Sequence, residues 1–416
     1  MSHFSYRNGE LCAELVPLSE LAARFGTPCF VYSRAAVESN WRAYDRAFAG
    51  RPHLICYAVK ANGNLALLHL LARLGSGFDI VSAGELERVL KAGGEPMRIV
   101  FSGVGKRADE IERVLEVGIG CFNVESAAEL RRIERIAAAK SKRATIALRV
   151  NPDVDAGTHP YIATALKESK FGIACPDALD VYREAARLPH LQVTGIACHI
   201  GSQITTLEPF IDAFERVLKL ADSLRAEGVE IDHVDVGGGL GIRYRDESPP
   251  QPEQLVQALC ARLGDRKLKL MLEPGRSVVG EAGVLLTRVE YLKHGAARNF
   301  AVVDAAMNDL LRPSLYGAWQ DILPVRQRPD SPLQVFDVVG PVCESADFLG
   351  LGRSLAIAEG DLLAVASSGA YAACMSSNYN ARPRAPEILI DGSRVHEVRQ
   401  RESIDALLSL ESIPPD

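Results

Sequence analysis

The chain has 416 residues, 47% hydrophobic and 24% charged; this is ordinary globular usage, long enough for about two or three domains, and it excludes a disordered, collagen-like or small disulfide-stapled protein. Lys and Arg number 47 against 53 Asp and Glu, a net charge of −6, so no basic face points to nucleic acid. The opening residues lack the apolar stretch of a secretory leader, no run reaches the ~18 apolar residues of a membrane span, and the nine cysteines are scattered without a C-x-x-C pair; a cytoplasmic chain with free thiols and no membrane partner is expected.

In chain order, Leu11–Val16 reads as extended and 18–25 as a short helix. Strand-like runs then recur at 53–60 (HLICYAVK), 77–82 (GFDIVS), 98–104 (RIVFSGV), 121–125 (CFNVE), 145–151 (TIALRVN), 194–200 (TGIACHI), 233–236 (HVDV) and 269–273 (KLMLE). Amphipathic segments rich in Ala, Leu, Glu and Arg separate them, such as Leu65–Leu74, Ala83–Ala92, Ala127–Ala139, Ala178–Leu188 and Glu208–Glu227. Alternation alone fits a (β/α)8 barrel or a doubly wound open sheet. The strand ends favour the barrel, because nearly every strand runs out on a polar or titratable residue: Lys60, Asp79, Ser102, Glu125, Asn151, His199, Gly237–Gly239, Glu273. An open sheet would gather such residues at one switch point. The turn-rich stretch 151–171 has the length of a functional loop. Beyond about 280 the segments VLLTRVEYLKH, FAVVDAA, QVFDVVGPVC, DLLAVAS, PEILIDG and RVHEVRQ read as strands joined by turns with little helix. The fold expected is therefore α/β: a TIM-like barrel over 28–280 and a mostly antiparallel β domain made of 1–27 with 281–416.

Four features of the barrel rim carry chemistry, each with a plainer alternative. Lys60 is either a lysine snorkelling at the rim or an amine in a dry pocket able to form a Schiff base. The run Gly237–Gly241 is either a simple turn or a cradle whose backbone N–H groups approach a phosphate, at the address where this barrel commonly holds one. Glu273 either pairs with Arg276 or holds a proton on a pyridine nitrogen. His199 is either a satisfied core histidine or a flat ring against a cofactor, and it cannot share a metal with Cys198, whose side chain points to the opposite face. No His/Cys set has metal-ligand spacing, so no metal is expected. Taken together the four describe a pocket for pyridoxal 5′-phosphate (PLP).

The motifs YAVKAN (57–62), HIGSQ (199–203), GGGLGI (237–242), EPGR (273–276), CESADFLG (343–350) and GAY (369–371) resemble those of the fold-type III PLP-dependent decarboxylases, and among them most resemble the diaminopimelate decarboxylases, from FGTPCFVYS (25–33) to SSNYN (376–380). The resemblance implies a PLP-binding barrel with a β domain, decarboxylation of meso-2,6-diaminopimelate to L-lysine as the last step of bacterial lysine synthesis, and a homodimer with shared active sites. It implies Lys60 as the Schiff-base lysine and His199 as the ring stacked on the cofactor. Ser202, Gly239, the Gly275–Arg276 segment and Tyr371 match phosphate-holding positions, and Glu273 the partner of the pyridine nitrogen. Arg276, Arg312, Tyr316, Glu344 and Tyr371 match substrate-binding positions. Cys343 matches the acid that protonates the substrate carbon after CO2 leaves, reaching the site with Glu344 from the partner subunit. Asp79 and Asn62 lie near the lysine without an assigned role. Gly63 replaces a small polar residue, and Ala372–Ala373 a glycine, after GAY. The chemistry of the substrate agrees with Arg312: a distal carboxylate suits bidentate arginine and a distal ammonium suits Glu344. An ornithine or lysine decarboxylase, with only the ammonium to bind, is the alternative. A non-catalytic PLP-binding protein, a racemase-like enzyme and a sugar-phosphate barrel are more distant readings.

Overall fold

Every one of the eight runs expected between 53 and 273 forms a strand: His53–Ala58, Gly77–Ile80, Ile99–Phe101, Cys121–Val124, Ala144–Asn151, Leu191–Ala197, His233–Asp235 and Lys269–Leu272. The structure, a computed structural model, describes residues 3–155, 157 and 170–415. Consecutive strands pair in parallel, and Lys269–Leu272 pairs with His53–Ala58, closing the barrel. A two-residue strand, Ile173–Ala174, adds beside Ala144–Asn151. Of the stretch 151–171, residues 156 and 158–169 lie outside the described residues.

The period-two alternation of strands sets what fills the barrel. Cys56, Val100, Cys121, Ala147, Ala197 and Met271, with Leu54, form one buried apolar cluster. Two residues further along the same strands stand Ala58, Ser102, Asn123, Arg149, His199 and Glu273. An apolar layer therefore passes into a polar one at the C-terminal mouth. The helices outside start where the sequence supplies caps. Ser82 Oγ accepts from Glu85 N at 3.2 Å before helix Ala83–Lys91, and Ser126 Oγ from Glu129 N at 3.2 Å before Ala127–Ala139. Asn64 caps Leu65–Arg73 in the same way. Buried Lys106 uses its three N–H groups on Gly103 O, Asn123 O and Glu129 Oε1 at 2.7–2.8 Å, tying its loop to the next strand, Cys121–Val124, and to the helix start that follows.

The second compact unit comprises residues up to 37, 244–246 and from 279 onward; the barrel unit spans 38–243 and 247–278. Its long strand Gly283–His294 pairs antiparallel with Cys29–Ser33, Asn299–Val303 and Leu362–Val365. Gln334–Val339 runs parallel to Asn299–Val303, and Glu387–Asp391 parallel to Cys29–Ser33. The sheet is thus mixed but mostly antiparallel. The N-terminal hairpin and helix Leu18–Phe25 join it through a shared buried cluster, in which Phe4, Leu11, Leu18 and Leu21 meet Val284, Leu286, Ile388 and Ile390.

Two expectations are corrected here. The segment from 28 to 37 belongs to the β unit rather than to the barrel, because CFVYS is buried at all five positions and takes neighbours on both edges of that sheet. Residues 244–246 also leave the barrel unit. The strand Phe348–Leu355 was unexpected, since Gly350 and Gly352 lower the β character of its run. Ser126→Ala is expected to lower global stability by about 1 kcal/mol, read from the urea midpoint; an unchanged midpoint would remove the cap from this account.

Candidate active site

The first barrel strand ends in the tight turn Val59–Ala61, which projects Lys60. Tyr57 Oη donates to Asn62 O at 3.0 Å and Asn64 N to Asn62 Oδ1 at 3.0 Å, so Asn62 shapes this turn. Lys60 Nζ donates to Asp79 Oδ2 at 2.6 Å. Asp79 is fully buried and its Oδ1 has no hydrogen-bond partner among the described residues.

Across the barrel mouth, buried Glu273 accepts from Asn123 Nδ2 at 3.2 Å and from Ser102 Oγ at 3.4 Å. Asn123 Nδ2 also reaches Ser102 Oγ at 3.1 Å and Asp235 Oδ2 at 3.4 Å, while Asp235 Oδ1 accepts from Gly237 N at 2.9 Å. Burial pushes the Glu273 carboxyl well above the usual range, and Asp235 and Asp79 push it further. Burial also raises Asp235, against which the mutual hydrogen bond and the Gly237 N–H work. Both carboxyls are therefore pushed up, Glu273 the more strongly, and the pair favours holding a proton between them.

The glycine loop follows directly. Gly238 N donates to His199 Nδ1 at 3.1 Å, which places the imidazole hydrogen on Nε2. Burial, Arg149 and Lys60 push the His199 pKa well down, so the ring is neutral. Gly237 and Gly239 have φ of 74° and 112°, open to glycine and strained for other residues. A Cβ on Gly238 would collide with the Glu273 carbonyl, one on Gly239 would lie 2.5 Å from Gly201 O, and one on Gly275 2.8 Å from Ala61 Cβ. Arg276, buried, donates to Ser202 Oγ at 3.0 Å. Lys60, His199, Ser202, Gly239, Glu273, Gly275 and Arg276 thus share one end of the barrel.

The remaining expected residues lie in the β unit. Arg312 opens the short helix Arg312–Tyr316 and is buried, its guanidinium 4.4 Å from the centre of the Tyr244 ring. Tyr316 ends that helix, followed by Gly317 in the left-handed region. Cys343 is exposed, its backbone N–H donating to Asn380 Oδ1 at 3.1 Å, and Glu344 Oε2 accepts from Tyr379 Oη at 3.2 Å. Tyr371 follows the tightly packed Gly369 with φ of 53°. Asp347 is buried, not exposed with its neighbours: its two oxygens accept from Met307 N and Val342 N at 2.7 Å each and hold the turn that presents Cys343. Asn123, Arg149 and Asp235 were overlooked in the sequence. They lie inside their strands, and only the period of two, counted back from the mouth, would have found them.

Residues 34–280 match the pyridoxal-dependent decarboxylase family, in its pyridoxal binding domain. Over the full length of both chains the sequence is 60% identical, across 415 residues, to the diaminopimelate decarboxylase of Pseudomonas aeruginosa, and 58% identical, across 418 residues, to that of Vibrio cholerae. The chain belongs to the diaminopimelate decarboxylase family of pyridoxal-dependent decarboxylases. Among solved structures, the diaminopimelate decarboxylase of Helicobacter pylori complexed with L-lysine is similar at a TM-score of 0.92 and 44% identity, over 94% of this chain and 98% of that one. PLP is the cofactor of this family, and the residues present fit it. Its phosphate requires backbone approach without Cβ atoms, which the glycine loop allows. Its aldehyde requires an amine, which Lys60 supplies, and its ring nitrogen an acid, which Glu273 is.

Beside this site Glu85 Oε2 accepts from Val81 N at 2.7 Å, and burial pushes its carboxyl from the usual 4.5 up to about 7. A raised carboxyl pKa stabilises the fold fully below pH 4.5, and the contribution is lost as pH rises through about 7. Glu85→Gln keeps the acceptor without the charge. The variant is expected to gain on the natural protein by on the order of 1–3 kcal/mol between about pH 5 and pH 8, followed by thermal unfolding; parallel pH profiles would refute it.

Proposed function

We propose that the chain is a carboxy-lyase converting meso-2,6-diaminopimelate to L-lysine and CO2, and that the residues gathered at the barrel mouth and in the β unit perform it. The observation that supports this most directly is the opposed pair at the mouth: an amine on Asp79 to one side and, to the other, the buried Glu273 carboxyl held by Asn123 and Ser102. PLP, when bound, supplies the sink for the electron pair left on carbon when CO2 departs.

Lys60 anchors the cofactor through Nζ and afterwards handles protons there, with Asp79 fixing its position. Glu273 would give its proton to the ring nitrogen and, then a carboxylate, hold it there, with Asn123 and Ser102 hydrogen-bonded to its Oε1. His199, held neutral, would offer the cofactor ring a face rather than a charge. Ser202, Gly239, Gly275, Arg276 and Tyr371 hold the phosphate. Arg312 receives the carboxylate at the far end of the substrate and Glu344 the ammonium beside it, and Arg276, Tyr316 and Tyr371 are further substrate-binding residues. Cys343 delivers a proton from Sγ to the carbon that has lost CO2.

Cys343 and Glu344 are exposed in the single chain, as residues reaching a neighbouring subunit's site must be. The working enzyme is accordingly a homodimer with shared sites. All nine cysteines are free, which suits the reducing cytoplasm.

With meso-diaminopimelate, lysine, ornithine and arginine offered in parallel, the PLP-loaded protein is expected to release CO2 from diaminopimelate alone. Release only from a simple diamino acid would transfer the assignment to the basic-amino-acid decarboxylases. Cys343→Ala should cut turnover by about 10²–10⁴-fold while the absorbance of bound PLP stays as in the natural protein. Full turnover in that variant would strip Cys343 of its role.

A further inference from the structure

The loop that follows the glycine cradle is fixed at both ends. Gln203 grips Ile242, accepting from its N–H at 3.1 Å and donating to its carbonyl at 2.6 Å. Two residues on, the chain contributes residues 244–246 to the β unit. There two adjacent side chains stack in opposite senses. Tyr244 offers its ring to the guanidinium of Arg312 at 4.4 Å, and Arg245 lays its own guanidinium over the Trp319 ring, also at 4.4 Å. Arg353 stacks on that same indole at 3.1 Å, and Trp319 Nε1 donates to Asp321 Oδ1 at 2.8 Å. Tyr244 and Arg312 are each only 6% exposed.

A buried guanidinium needs compensation for lost water. An aromatic face provides it through the plane of the group, whereas carboxylate recognition uses the in-plane N–H edge. The two therefore do not compete. A stack also fixes the plane in which the edge points, which governs bidentate geometry. The anchored Arg245 holds the backbone of its neighbour, so the Tyr244 ring is a fixed platform.

We propose that Tyr244 is a positioning residue: its ring sets the plane of Arg312 toward the far carboxylate of the substrate, and preference for amino acids bearing that carboxylate depends on it. This rests on the assignment of Arg312 made above, and the test separates the two. L-Lysine retains the far amino-acid group of the substrate, and 1,5-diaminopentane is the same molecule without the carboxylate. In the holoenzyme, Tyr244→Leu is expected to raise both the KM for diaminopimelate and the inhibition constant of lysine about tenfold. Turnover number and inhibition by 1,5-diaminopentane should stay within about twofold, and Tyr244→Phe, which keeps the face, should restore lysine binding. Tyr244→Met, which fills more of the space without a π face, repeats the comparison should the leucine variant not fold. Lysine and 1,5-diaminopentane weakened alike would mean general disturbance and overturn the proposal. So would unaltered lysine inhibition in Tyr244→Leu when Arg312→Ala has lost it, leaving the Arg312 assignment standing. If Arg312→Ala itself binds lysine normally, that assignment fails and the role of Tyr244 fails with it.

Discussion

Three carboxyl groups, Asp79, Asp235 and Glu273, are buried in the mouth of a closed barrel, and they cannot all carry charge in a medium of low polarity. Lys60 pairs with the first, hydrogen bonds from Asn123 and Gly237 support the second, and burial beside the other two pushes the third well above the usual carboxyl range. This distribution makes the pocket selective for a guest that brings an aldehyde to the amine and a basic ring nitrogen to the acid. The neutrality of His199 comes first from its own burial, to which the positive charges of Arg149 and Lys60 add. Gly238 is required for a related reason: only a residue without Cβ lets its backbone pass against the Glu273 carbonyl while donating to His199.

In the proposed reaction the β unit takes on recognition of the substrate and delivery of a proton. Its arginine is buried on an aromatic face, and its cysteine and glutamate stand on a turn that Asp347 ties down by two backbone N–H groups. A rigid turn with exposed tips suits residues that act on a surface other than their own chain's interior. The short helix beginning at Arg312 serves the same end, because proline in its first turn and the left-handed Gly317 after it limit how it can be extended or shifted.

Much of this was legible before any coordinates. Strand after strand of the barrel announced itself by β-branched and aromatic runs, and the polar residue closing each run marked the mouth. Less legible were the residues inside the mouth. Asn123 and Asp235 sit within strands whose neighbours are apolar, and nothing local separates a buried asparagine in a network from one in a turn. Asp347 is no more legible, since acidic character suggests exposure, whereas two backbone donors hold it inside. Nothing local in Cys29–Ser33 tells which sheet it joins, so a barrel begun at 28 takes it in. Its true neighbours, Val284–Leu286 and Ile388–Ile390, lie far along the chain.

By itself, then, the sequence determined the local elements, the barrel's alternation and the set of chemical groups at its rim, since these depend on periodicity and residue type within a few positions. Tertiary structure alone decided which carboxyls are crowded together away from water, which ring nitrogen of His199 carries the hydrogen, which sheet receives the segment at 29–33 and what lies against Arg312. Each of these depends on burial and on partners tens to hundreds of residues away, and free energies of that kind exist only once the chain has closed on itself.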